Sequence, residues 1–149
     1  MAEKIVAVNK KAYHEYFIED EYEAGISLLG TEIKSIRRGK VQLKESYVSF
    51  SHGEAFIKGM NIAQYDFGNR FNHDETRDRK LLLHKSEIRK LENKVKLQGY
   101  TVIPLKIYLK DGRAKLQIAL AKGKTLYDKR ESDKVRSIEQ ELRRATRRY

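Results

Sequence analysis

The 149-residue chain contains no cysteine. Disulfide staples, cysteine-based zinc sites and thiol catalysis are therefore excluded, and the absence fits a reducing compartment. Stability has to come from packing. Long apolar runs are lacking too: Leu116 to Ala121 is far too short to span a bilayer. No signal-peptide pattern opens the sequence, so a soluble, cytoplasmic protein is expected. There is no glycine-rich phosphate loop, because Gly59, Gly68, Gly112 and Gly123 are isolated from one another. The histidines, His14, His52, His73 and His84, are scattered without the spacing of a metal site, and no cofactor is expected. His14 with Glu15, or His73 with Asp74, could serve as the acid–base pair of a small ribonuclease. Neighbours in a strand face opposite sides, however, which disfavours that chemistry and leaves a non-catalytic role expected.

What the chain has is positive charge. Its formal net charge is +11 and its pI about 9.7. A polyanionic partner follows, and with no membrane-spanning run that partner is nucleic acid. One domain, residues 1–124, carrying a basic tail, residues 125–149, suits this length.

Alternation and enrichment in β-branched and aromatic residues predict strands at Tyr13–Ile18, Ala24–Leu29, Tyr47–Phe50, Ala55–Lys58, Tyr100–Leu109 and Ala114–Ala121. His52-Gly53 and Asp111-Gly112 supply the positive φ of tight hairpins. A short helix is expected over Thr31–Arg38, with Thr31 as cap and Gly39 as stop. A longer one is expected over Lys85–Gln98, where Ile88, Leu91 and Val95 form a stripe, Ser86 can cap and Gly99 terminates. Residues 65–79 read as a long loop. The fold class expected is mainly β with short helices: a small closed barrel of oligonucleotide-binding type. Beyond Lys122 the stripe Val135, Ile138, Leu142, Ala145 is too sparse to order itself, so the tail is expected to be disordered when free and helical when docked.

The opening Asn9-Lys10-Lys11-Ala12-Tyr13-His14 interleaves cations with aromatics, a combination that grips phosphates and offers flat faces to bases. Lys34, Arg37, Arg38 and Lys40 make a basic patch if their helix lies on the surface. Leu81, Leu82 and Leu83 cannot all point inward from one strand or helix, so at least one should meet a partner. A solvated strand start or helix face explains the opening segment and the Lys34–Lys40 patch equally well on its own, and the leucine run is the more telling of the three.

Together, Asn9 to Ile18, Glu23-Ala24-Gly25, Gly30 to Arg37, Arg79 to Leu83, Gly99 to Pro104 and Leu120 to Lys124 ahead of Tyr127 to Arg130 resemble the small protein B, or SsrA-binding, family in order and spacing. The resemblance implies a non-catalytic adaptor that grips the tRNA-like domain of tmRNA and travels with elongation factor Tu to a stalled ribosome for trans-translation. It implies a tmRNA-facing surface from Asn9, Lys10, Lys11, His14, Glu23, Lys34, Arg37, Arg79, Lys80, Leu82, Lys122 and Lys124. It also implies a tail that probes the decoding centre and empty mRNA channel through Tyr127, Asp128, Lys129, Arg130, Lys134, Arg136, Arg143, Arg144, Arg147 and Arg148. Thr125 departs from the lysine that many relatives carry there. The competing readings are a general single-strand RNA-binding barrel and, more remotely, the small ribonuclease.

Overall fold

A computed structural model of the protein describes residues 3–65 and 72–124. The expectations for the tail, from Tyr127 to Arg148, and for the middle of the long loop, 66–71, lie outside the described residues. Nine strands and three helices follow in the order β1 (Glu3–Val8), α1 (Ala12–Glu15), β2 (Tyr16–Ile26), α2 (Gly30–Arg37), β3 (Val41–Gln42), β4 (Tyr47–Ser51), β5 (Glu54–Lys58), β6 (Asn61–Ile62), β7 (Arg79–Leu82), α3 (Lys85–Gln98), β8 (Thr101–Lys110) and β9 (Arg113–Gly123). The protein is mainly β, as expected.

Seven strands form one antiparallel sheet in the order β1-β8-β9-β2-β7-β5-β4, and β3 pairs with β6 as a separate ribbon. The expected closed barrel is not found among the described residues. The ladder stops at β1 and β4, although the sheet curls enough to bring β4 against β8. The ribbon beside β1 explains the gap: β3 and β6 are two residues each and pair with one another, so β3 touches β1 without extending its ladder. Alternation sends Ala24, Ile57, Leu81, Val102, Ile107, Leu116, Ile118 and Leu120 into one core, which Ile36 of α2 and Ile88 and Leu91 of α3 cover. A smaller cluster, Ala12, Ile103, Leu105, Ala119 and Ala121, lies on the other face of the sheet, with α1 contributing Ala12.

Both hairpins take the expected form, with φ 52° at His52 and 74° at Gly53, and 52° at Asp111 and 78° at Gly112. The long helix runs Lys85–Gln98 and ends on Gly99 at φ 70°. Three local expectations need correction. Tyr13–Glu15 is a turn of helix, and Tyr16–Ile26 is one strand where two were expected, because the register shift between Ile18 and Glu21 interrupts the alternation without breaking the strand. Thr31 does not cap α2. Its hydroxyl lies 2.8 Å from His73 Nδ1, and the Glu32 carboxylate accepts the Leu29 N–H at 2.8 Å instead. Ser86 lies inside α3, where Glu87 accepts the His84 N–H at 3.0 Å. The single proline, Pro104, occurs in β8 where the register with β9 shifts, the place where a strand flanked on both sides tolerates it.

Candidate nucleic-acid interface

Strand pairing assembles an outward face from residues far apart in sequence. Residues directly opposite across antiparallel strands share a face. Ile5 pairs with Tyr108, Tyr108 with Lys115, Lys115 with Gly25 and Gly25 with Leu82, which makes one row across five strands. Val8, Lys106, Gln117 and Glu23 make the adjacent row. Glu23, Lys80, Leu82 and Lys115 line one groove on this face.

The leucine run divides as strand geometry demands. Leu81 is buried and Leu82 is 56 % exposed. Gly25 lets Leu82 lie flat across β2, since a Cβ on Gly25 would come within 3.2 Å of the Leu82 Cβ. Lys80, two residues before Leu82 and on its face, reaches Glu54 at 3.2 Å, which offsets part of its charge.

Glu23 accepts a short hydrogen bond from the Tyr108 hydroxyl on Oε2, and Lys110 Nζ stands 3.6 Å from the same oxygen. The bond from Tyr108, joined by Lys110 and Lys115, holds the Glu23 carboxyl below its ordinary value against a smaller opposing effect of burial. Burial, reinforced by Glu23, pushes the Tyr108 hydroxyl well above its usual range, so it stays a donor. A carboxylate on this outward face is thereby kept ionised among cations.

A second group gathers where β1, α1 and the ends of β2 and β9 meet. Asn9 Nδ2 donates to Pro104 O at 3.0 Å, and Lys10 and Lys11 stand exposed beside it. His14 lies in α1. Lys124 Nζ donates to Tyr13 O at 2.9 Å and lies 5.0 Å from the Phe17 ring centre. Lys122 Nζ is 4.5 Å from the Tyr100 ring centre, with Lys94 at 5.7 Å. Tyr13 and Phe17 are each about half exposed, at 51 % and 47 %, so cations and aromatic faces do occur together here.

Lys34 and Arg37 belong to neither group. They are exposed on α2, where Lys34 lies 5.4 Å from the Tyr65 ring centre and Arg37 reaches Gly112 O at 3.5 Å. Arg79 is a correction: it is fully buried and is no part of the surface. Its guanidinium donates to Glu32 Oε2 at 2.5 Å, Met60 O at 2.8 Å, Glu75 O at 3.1 Å and Asp74 O at 3.3 Å. Arg77 donates to Glu32 Oε1 at 2.7 Å. His73, raised as an acid–base candidate, is 3 % exposed, and its ring nitrogens lie 2.8 Å from Thr31 Oγ1 and 2.8 Å from Ile62 O. These are core hydrogen bonds. Sequence reasoning missed Gly25's part in seating Leu82, and Tyr108, Lys110 and Lys115 around Glu23. Within the apolar run of β8 and β9 they look like core and solvent positions, and only cross-strand register reveals their company.

Comparison with known proteins identifies the family. The family described as SmpB protein matches residues 6–148. An SsrA-binding protein of Geotalea uraniireducens is 54 % identical over 142 residues, 95 % of this chain and 94 % of the relative. One from Geobacillus kaustophilus is 56 % identical over 144 residues, 97 % of this chain and 93 % of the relative. Among solved structures, a chain described under "tmRNA-SmpB: a journey to the center of the bacterial ribosome" superimposes with a TM-score of 0.68 at 45 % identity, covering 85 % of this chain and 92 % of its own length. With the family match spanning residues 6–148 and these relatives more than half identical along nearly the whole chain, the chain belongs to the SmpB family of SsrA-binding proteins.

Proposed function

We propose that the protein is a non-catalytic adaptor of trans-translation: it binds the tRNA-like domain of tmRNA and brings it, together with elongation factor Tu, to a stalled ribosome in the cytoplasm. The observation that carries the reading is the outward face, where Glu23, Lys80 and Leu82 line one groove and the row containing Glu23 ends at Val8, next to Asn9. An exposed leucine flanked by lysines and one ionised carboxylate suits a folded RNA, where an apolar side chain packs on a sugar or base and a carboxylate accepts base N–H groups. Phosphate neutralisation falls to Lys10, Lys11, Lys122 and Lys124, with His14, Lys34 and Arg37 at the margins. Residues 1–124 act as the tmRNA platform. Residues 125–149 act as the ribosomal probe, with Tyr127 to Arg130 at its root and Lys134, Arg136, Arg143, Arg144, Arg147 and Arg148 along channel phosphates.

Competition binding at stated salt tests the platform. The tRNA-like domain outcompetes an unstructured RNA of equal length, and equal affinity for the two would instead establish a general single-strand binder, a reading favoured by the half-exposed Tyr13 and Phe17 beside Lys124. Deleting residues after Arg130 tests the probe. Binding of tmRNA persists and tagging on stalled ribosomes stops, whereas loss of both would assign the tail to the tmRNA surface.

A further inference from the structure

A carboxylate on an RNA-facing surface repels phosphates unless its lone pairs are aimed at something else. A free glutamate on an exposed strand rotates among several rotamers and aims at nothing in particular. Glu23 is held. Oε2 takes the Tyr108 hydroxyl and faces Lys110 at 3.6 Å, while Oε1 has no partner among the described residues. The residue holding it is itself rigid: Tyr108 is 3 % exposed, pairs with Ile5 on β1 and Lys115 on β9, and has Lys106 Nζ 5.3 Å from its ring centre. Lys110 lies 4.0 Å from Glu3 as well, so its ammonium is shared between two carboxylates and cannot fix Glu23 alone.

We propose that Tyr108 is a positioning residue that holds Oε2 of Glu23 and turns Oε1 outward to accept a base-edge N–H of the bound RNA. The inference rests on the tmRNA-binding reading above. Tyr108 suits the role because a phenol supplies a single neutral donor in a fixed direction, leaving the carboxylate its charge and its second oxygen. An ammonium in that place would add charge without direction. The lowered titration of Glu23 agrees, since Tyr108 contributes most to it.

The test uses full-length protein with Tyr108→Phe, Glu23→Gln and the double variant, all measured well below their unfolding midpoints. Binding is read against a transcript of the tRNA-like domain and an unstructured RNA of equal length. Tyr108→Phe keeps the ring and weakens binding of the tRNA-like domain roughly three- to tenfold, the cost of ordering a freed Glu23 side chain on binding, with unstructured RNA unaffected. In the double variant the loss equals that of Glu23→Gln alone, because Tyr108 acts through Glu23. Carbon-13 NMR of the free protein adds a readout that needs no RNA: the Glu23 carboxyl titrates at higher pH in Tyr108→Phe. Additive losses, an unmoved carboxyl titration, or wild-type affinity in Tyr108→Phe would each overturn the proposal while leaving the tmRNA reading standing. Unchanged affinity in Glu23→Gln would remove Glu23 from the RNA surface and overturn the proposal, whereas equal wild-type affinity for the two RNAs would overturn the tmRNA reading on which it rests.

Discussion

Arg79 is embedded in Arg-Asp-Arg-Lys, a segment whose composition points to phosphate contact, yet the sidedness of β7 sends Arg79 inward and Lys80 outward. Once inside, the guanidinium has to be fully satisfied, and Glu32 with the carbonyls of Met60, Asp74 and Glu75 does so. Nothing in the local sequence separates it from its neighbours, because the partner, Glu32, is 47 residues away. Removing Glu32 leaves the buried Arg79 guanidinium without its counter-ion, and removing Arg79 empties a buried site and leaves Glu32 with Arg77 as its remaining counter-ion. Glu32→Ala and Arg79→Ala are each expected to cost about 3–5 kcal/mol in urea unfolding, and the double variant less than their sum. Acid stability follows from the same group. Burial raises the Glu32 carboxyl, but hydrogen bonds from Arg77, the Leu29 N–H and Arg79 outweigh it and set its value below normal. A depressed folded value means that the stabilisation is present above the unfolded glutamate value of about 4.3 and is lost as pH falls through the lower folded value. Stability measured from pH 6 downward declines there in the wild type, and the decline is shallower in Glu32→Gln.

At the scale of elements, the span of α3 was legible because its stripe and its terminal glycine agree, whereas its cap was not: Glu87, inside the first turn, does what Ser86 was expected to do. Both hairpins were legible too, each having a turn dipeptide between alternating strands. The strand β2 was not, since the shift between Ile18 and Glu21 resets its alternation. Nor was α1, a single turn whose one buried residue is Ala12. The residue pattern of β7 showed that one leucine is exposed and the family resemblance named Leu82, and the structure shows Leu82 exposed across Gly25 with Leu81 buried. That strand yields a paired prediction. Leu81→Ala, in the core, is expected to cost about 2–5 kcal/mol. Leu82→Ala is expected to change unfolding free energy by less than about 1 kcal/mol and to weaken binding of the tRNA-like domain, read by denaturation and filter binding on the same preparations. The reverse pattern would place the strand the other way round.

For the whole molecule, the charge of +11 makes association with RNA salt-dependent. Log affinity for the tRNA-like domain is expected to fall linearly with log salt, and Lys10→Ala to flatten the slope by about 0.7–0.9, one phosphate contact. An unchanged slope would remove Lys10 from the interface. Charge and family resemblance were readable from the sequence, whereas the opening of the sheet was not: periodicity counts strands, but closure depends on whether the strand beside β1 is long enough to pair with it. The strand order also sets when the protein can assemble. Since β9 lies between β8 and β2, and Glu3 pairs with Lys110, β1 has no partner strand among the described residues until β8 is made, and β2, which β7 can pair earlier, is joined to β8 only when β9 follows. Such long-range pairing is slow to close and exposes apolar strands while it waits. A nascent chain broken off before Arg113 lacks only β9, yet that one strand joins β1-β8 to β2-β7-β5-β4, so a message truncated there yields two sheet fragments with no strand between them.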